Sequence, residues 1–246
     1  RLCDYISHIF IILMSDPQSC LTGIVEANNL PNFFADPHSM LHTHLKIMYA
    51  IDPMVYVVEG FLSDQECQEF ITLSKDRLNI AGLVGLDKHV VYPGRTNKVA
   101  FLKHDENEML HETSKRFSIL VQMPIINAEQ YHVLHYDEGN EYKPHFDSFD
   151  YETVDGKNCL RDGGQRMITA IAYLNNVEAG GTTFFPELGI SIEPKKGNVL
   201  VFHNCLPDST TRHLKSLHAG MPVESGEKWA VNLFFRENPN MKPLKP

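Results

Sequence analysis

The chain has 246 residues, 43% of them apolar, enough to bury one full core. Its net charge of −9 argues against nucleic acid as the main partner, because phosphate binding needs a basic field. No run reaches the ~20 apolar residues of a membrane span. The five cysteines are scattered and form no Cys-x-x-Cys pair, which speaks against a zinc knuckle or a disulfide framework and leans towards a reducing, cytoplasmic compartment.

Residues 1–50 carry no motif with a mechanism. Pro17, Pro31 and Pro37, with Asn28-Asn29 and Asp36, break up any long element. The most apolar stretch, 5–14, is either the remnant of a signal sequence or a buried strand or helix. Because the chain begins at Arg1 rather than Met, targeting is not read from it. His42-Thr-His44 reads as a surface or packing pair rather than a metal site.

From residue 51 the character changes. Residues 54–58 are β-branched and apolar and read as a strand. Ser63-Asp-Gln-Glu66 is a capping box opening an amphipathic helix over 64–78, with Cys67, Phe70, Ile71, Ser74 and Leu78 on one face. Residues 82–103 read as strand–loop–strand, with Arg95-Thr96 leading into the second strand. Asp105-x-x-Glu108 predicts a second helix to Leu120, turning Met109, Leu110, Thr113 and Phe117 inward.

Beyond residue 125 strands dominate: 130–136, 144–148, 166–174, 182–185, 190–193, 198–203 and 228–236. Between the second and third of these, 150–164 reads as a long polar loop. Short, evenly spaced strands after two helices predict a mainly β protein with flanking helices (α+β). The expected architecture is a jelly roll with its helices packed on one outer face.

The chemistry concentrates at two places. In an extended segment His145 and Asp147 point the same way, so they can offer an imidazole nitrogen and a carboxylate oxygen to one point. A third ligand must come from elsewhere, and the block from His218 to Trp229 supplies one, with His213 as a competitor. Two histidines and one carboxylate form the facial triad of non-haem iron(II) oxygenases, which leaves metal positions open.

The wider pattern is more specific. Tyr136-x-x-Gly-x-x-Tyr142-x-x-His145-x-Asp147 is followed by Arg166-Met-Ile-Thr-Ala-Ile-Ala-Tyr-Leu-Asn175 and Gly180-Gly-Thr-Thr-Phe-Phe-Pro186. Last come His218 and Pro222-Val-Glu-Ser-Gly-Glu-Lys-Trp229. In that order the chain closely resembles the prolyl 4-hydroxylase family of 2-oxoglutarate-dependent dioxygenases, from about residue 55 to about residue 237. The resemblance implies a double-stranded β-helix whose open end holds the metal. It sets residues 1–50 apart as an N-terminal extension ahead of a catalytic domain over 51–246.

It also implies iron(II), 2-oxoglutarate, oxygen and ascorbate as cofactors and cosubstrates, and a proline-containing peptide or protein as substrate, hydroxylated at C4 of proline. By resemblance His145, Asp147 and His218 are the iron ligands. His218 is preferred to His213 because its distance to the Pro222 and Gly226 blocks matches the family pattern. Lys228 stands at the family's position for the cation that pairs with the far carboxylate of 2-oxoglutarate, since a buried carboxylate needs a paired charge. Strand alternation puts Thr169, Ile171 and Tyr173 on one face, so Tyr173 and Thr169 are expected to add hydroxyl hydrogen bonds to that carboxylate. Tyr136 is expected near its chelating end. Tyr142, Trp229, Arg95 and Arg166 are candidates for the substrate end; Tyr142 and Trp229 are otherwise core, and Arg166 otherwise a bridge to a carboxylate. The alternatives are the same centre acting on a lysyl residue, a free amino acid or a small molecule, a binding or sensor module without catalysis, and a zinc hydrolase.

Overall fold

A computed structural model of the chain describes residues 24–25, 44–81 and 94–240. His42, most of residues 1–50 and the 82–93 part of the expected strand–loop–strand lie outside the described residues. The first half runs β1 (Ile24–Val25), β2 (Lys46–Ile51), β3 (Met54–Val58), helix α1 (Asp64–Ser74), β4 (Asn79–Ile80), β5 (Lys98–Leu102) and helix α2 (Glu108–Val121). The second half begins with β6 (Tyr131–Tyr136), β7 (Tyr142–His145), helix α3 (Val154–Leu160) and β8 (Arg166–Tyr173). It continues with β9 (Ala179–Gly180), β10 (Thr183–Phe185), β11 (Ile190–Ile192) and β12 (Val199–His203), then β13 (His218–Gly220), β14 (Val223–Ser225) and β15 (Lys228–Arg236).

All the ladders are antiparallel. Nine strands make one sheet in the order β1-β2-β3-β12-β8-β15-β6-β5-β4, four make a second in the order β11-β10-β13-β7, and β14 pairs with β9. Alternation along each long strand sorts its side chains between two cores. On β8 and β15, Ile168, Ala170 and Ala172, with Trp229, Val231, Leu233 and Phe235, join Phe70 of α1 and Leu110 and Phe117 of α2. The other face of the sheet sends Ile171, Tyr173, Leu200, Phe202 and Ala230 against Phe185 and Ile192 of the smaller sheet. Each fully buried phenylalanine at these layers contributes roughly 1.5–3 kcal/mol relative to exposure. The result is the expected layered jelly roll with α1 and α2 on one outer face. No helix among the described residues is long and apolar enough to cross a membrane.

Several local expectations are corrected. The Ser63–Glu66 capping box forms, but α1 ends at Ser74 and continues only as a 3₁₀ turn over Lys75–Arg77. Helix α2 begins at Glu108 because Asn107, not Asp105, caps it: the Leu110 amide donates to Asn107 Oδ1 at 2.8 Å. Residues 150–164 are not all loop, since α3 is capped by Thr153, whose Oγ1 accepts from the Gly156 amide at 3.0 Å. A Cβ on Gly156 would run into the Asp150 carbonyl, so this tight turn needs glycine there. The sheet also takes in Lys46–Ile51, which pairs with β3 ahead of residue 51.

Candidate active site

The metal-ligand cluster is assembled across one ladder. β13 and β7 pair so that His218 lies opposite His145. Each ring donates its Nδ1–H to the carbonyl two residues earlier, His145 to Lys143 at 2.8 Å and His218 to Ser216 at 2.9 Å. That fixes both tautomers and leaves each Nε2 lone pair free to ligate. Asp147 is not in a strand, as was expected, but in a bend past the end of β7. Its Oδ1 is 3.7 Å from His145 Nε2 and its Oδ2 3.5 Å from His218 Nε2. The three ligand atoms all lie within 4.8 Å of one another, and this is the only such cluster among the described residues.

The protonation states suit a cation. Burial pushes the His145 imidazole down to about 3, so it is neutral. Burial alone would raise the Asp147 carboxyl, but His218 and His145 beside it hold it below the usual range, and the group is ionised. Neutral imidazoles and a carboxylate are the forms that bind a divalent metal.

Thr169 departs from its expected role. Its hydroxyl donates to Asp147 Oδ2 at 2.7 Å and accepts from Asn204 Nδ2 at 2.9 Å. Thr169 therefore orients the carboxylate ligand, four residues along β8 from Tyr173, about 13 Å for an extended strand. Phe202 packs edge-on against the His218 ring at 4.6 Å. Tyr142 stacks on the His145 ring, with centroids 3.5 Å apart and planes 15° apart.

At the other end of the same cavity sits Lys228. β15 and β6 pair so that Lys228 lies opposite Tyr136. The ammonium is 4% exposed and donates to the Gly181 carbonyl at 2.6 Å. No carboxylate is in ion-pair reach of it among the described residues, and burial alone brings it down to about 8. The rings of Tyr136 and Tyr173 flank it, with centroids 5.3 and 5.6 Å from Nζ. The Tyr173 hydroxyl is hydrogen-bonded to Thr183 Oγ1 at 2.9 Å. Lys228, Tyr136, Thr183 and Asn232 line one pocket together with His145 and His218. A cavity lined by an ammonium without a carboxylate partner among the described residues and by two of the three metal-ligand residues fits a dianion that chelates a metal.

The remaining candidates divide. Arg95 stays at the site's edge, its guanidinium 4.7 Å over the Tyr142 ring. Trp229 does not face the pocket: one residue from Lys228, it takes the opposite side of β15 and packs in the helix-side core, 6% exposed. Arg166 bridges to a carboxylate rather than presenting its charge outward, with Nε and Nη2 each 2.6 Å from the two Glu129 oxygens. His213 is held elsewhere by Asp52 at 2.8 Å. Thr183, Asn232 and Asn204 were not singled out by sequence. Counting in twos from Lys228 would have reached Asn232, whereas Asn204 carries no sequence signal.

A family model described as the 2OG-Fe(II) oxygenase superfamily matches residues 131–236. The chain is 32% identical over 220 residues to prolyl 4-hydroxylase 2 of Arabidopsis thaliana, covering 80% of this chain and 72% of that one. It is 35% identical over 199 residues to the Arabidopsis thaliana protein named "Probable prolyl 4-hydroxylase 7", covering 73% of this chain; the chain spans only 61% of that relative's length. Among solved structures it is similar to the viral collagen prolyl hydroxylase of Paramecium Bursaria Chlorella virus-1, solved as its 2OG complex. The TM-score there is 0.59 at 28% identity, over 74% of this chain and 95% of that one.

Proposed function

The chain belongs to the prolyl 4-hydroxylase family of 2-oxoglutarate- and iron(II)-dependent oxygenases, and from that premise we propose that it hydroxylates a peptidyl proline at C4. In the same turnover 2-oxoglutarate is decarboxylated to succinate and carbon dioxide. The observation that carries this reading is the Lys228 ammonium, buried with no carboxylate partner among the described residues, in the cavity that the two histidine ligands also line.

His145, Asp147 and His218 would hold iron(II), and Lys228, with Thr183 beside it, would hold the far carboxylate of 2-oxoglutarate. When bound, metal, cosubstrate and oxygen supply the oxidising power that replaces C–H by C–OH. The protein's own part is binding, orientation and exclusion of water. Two neutral imidazoles and one carboxylate leave net positive charge on a divalent ion, which favours a chelating anion. Thr169 keeps the Asp147 carboxylate aimed, and the ring of Phe202 closes the back of His218 to water. Tyr142 and Arg95 stand at the His145 side of the pocket, where a peptide would approach. The pocket is lined by residues from Leu134 to Asn232, inside the 51–246 segment taken as the catalytic unit.

The test is mass spectrometry of proline-containing peptides after incubation with iron(II), 2-oxoglutarate and ascorbate. A mass gain of one oxygen localised to proline is expected. Oxygen on lysine, or succinate formed with no peptide modified, would reject proline as the target.

A further inference from the structure

Asp147 presents a structural problem. Outside a strand, no ladder hydrogen bond fixes its backbone, yet its carboxylate must meet two rings held rigidly on β7 and β13. Thr169 holds only the carboxylate. The backbone beside it is held by side chains from two other parts of the chain: Gln165, which accepts from the Phe149 amide at 2.6 Å and donates to the Phe149 carbonyl at 3.0 Å, and Arg212, which holds the nearer residue, Ser148.

One guanidinium grips the segment on both sides of Asp147. Arg212 Nη2 donates to the Ser148 carbonyl at 2.8 Å and Nε donates to Ser148 Oγ at 3.1 Å. Its Cζ lies 4.5 Å from the centroid of the Phe146 ring, and Nη1 is 3.7 Å from Asp150 Oδ2. The residues before, after and three beyond the ligand are thus all in contact with it. Arg212 is itself anchored by a bridge to Cys205 and by the next residue, His213, which is held by Asp52. It lies six residues before His218, on the segment that delivers the third ligand. A planar fork that hydrogen-bonds along one edge and stacks on its face suits guanidinium and not ammonium.

Resting on the oxygenase reading above, we propose that Arg212 is a positioning residue. In this role it ties the Asp147 segment to the His218 segment and so sets the spacing of the three metal ligands. Arg212 touches neither metal nor substrate. Removing a group hydrogen-bonded directly to a ligand typically changes metal affinity 10–100-fold; Arg212 acts on the same ligand through the residues that flank it.

The test is Co(II) binding to the full chain, followed by the visible d–d absorption of the bound ion without 2-oxoglutarate or peptide. Arg212→Met keeps the stem over Phe146 and removes the fork. It is expected to weaken Co(II) binding at least tenfold and to alter the band shape. Arg212→Lys keeps the charge without the fork, is expected to fall between, and carries the test where Arg212→Met does not fold. Arg116→Met is the control, because it breaks the half-buried Arg116–Glu66 contact between α2 and α1, away from the ligands. It is expected to lower the melting temperature and leave Co(II) affinity within about twofold. Parent-like Co(II) affinity in Arg212→Met, or a loss no greater than in Arg116→Met, overturns the proposal while leaving the metal site standing. A parent chain that takes up no Co(II) overturns both.

Discussion

Lys228 and Tyr136 are registered partners across β15 and β6, and the ammonium of one is 5.3 Å from the ring centroid of the other. The ring does not neutralise the charge. The polypeptide buries a positive charge among aromatic rings and one carbonyl, an arrangement that is unfavourable until an anion arrives.

Lys228→Met therefore has two opposite effects. Removing one partner of a buried pair costs about 3–5 kcal/mol, so 2-oxoglutarate affinity falls roughly a hundredfold or more. The ligand-free protein, relieved of an uncompensated charge, melts no lower than the parent. Scanning calorimetry with and without 2-oxoglutarate reads both. A variant that melts lower in the free state while binding 2-oxoglutarate normally would move the carboxylate partner elsewhere.

The same group sets a pH dependence. In the free protein Lys228 titrates near 8, against roughly 10.4 for an unfolded lysine. Below 8 both states hold the proton and the burial penalty is constant. Between the two values the unfolded chain binds more protons, so this group's contribution to stability rises with pH. Anion binding needs the proton, so 2-oxoglutarate affinity is expected to fall as pH rises through 8. Calorimetric titration between about pH 7 and about pH 9 checks it, and Lys228→Met should flatten the profile.

Glu129 is expected to govern acid stability. Burial alone would raise its carboxyl, but Arg166, then His132 and Arg236, bring it down to about 2. Its stabilisation is present above the unfolded value of roughly 4.3 and is lost as pH falls towards 2, on the order of 3 kcal/mol in all. Glu129→Gln leaves two buried guanidiniums facing an amide and should cost about 3–5 kcal/mol at neutral pH. Urea unfolding at neutral and acid pH measures both, and the variant should show the smaller acid loss.

Trp229 and Tyr142 should separate stability from activity. Trp229→Phe removes volume from the helix-side core and is expected to cost about 1–3 kcal/mol with peptide KM unchanged. Tyr142→Ala removes the ring stacked on His145 and is expected to lower turnover with a smaller change in unfolding free energy. Urea unfolding and steady-state kinetics on the two variants decide it; a raised peptide KM in Trp229→Phe would return that ring to the substrate end.

Strand alternation explains why much of this was legible. Short apolar runs between glycine-bearing turns mark β6, β8, β12 and β15, and motif order singles out His145, Asp147, His218 and Lys228. Which side of each strand faces the cavity is a tertiary property, and there the reading slipped. Lys228 and Trp229 are neighbours in sequence, but one lines the pocket and the other packs in the helix-side core. Thr169 and Tyr173 share a face, yet one reaches the metal ligand and the other Thr183. Helix α3 was hidden because its seven residues include Gly156 and Asn158 and its start depends on one threonine cap. Asn204 had no periodic partner and is recognisable only through the Thr169 hydroxyl it holds.

The most direct measurement is an anaerobic titration of the metal-free protein with iron(II) and then 2-oxoglutarate, followed by visible charge-transfer absorption. A band should grow to saturation at one equivalent of each, vanish in His218→Ala and Asp147→Ala, and need far more 2-oxoglutarate in Lys228→Met. A parent protein that stays colourless, or a band that survives His218→Ala unchanged, would contradict the assignment of His145, Asp147, His218 and Lys228 to one centre.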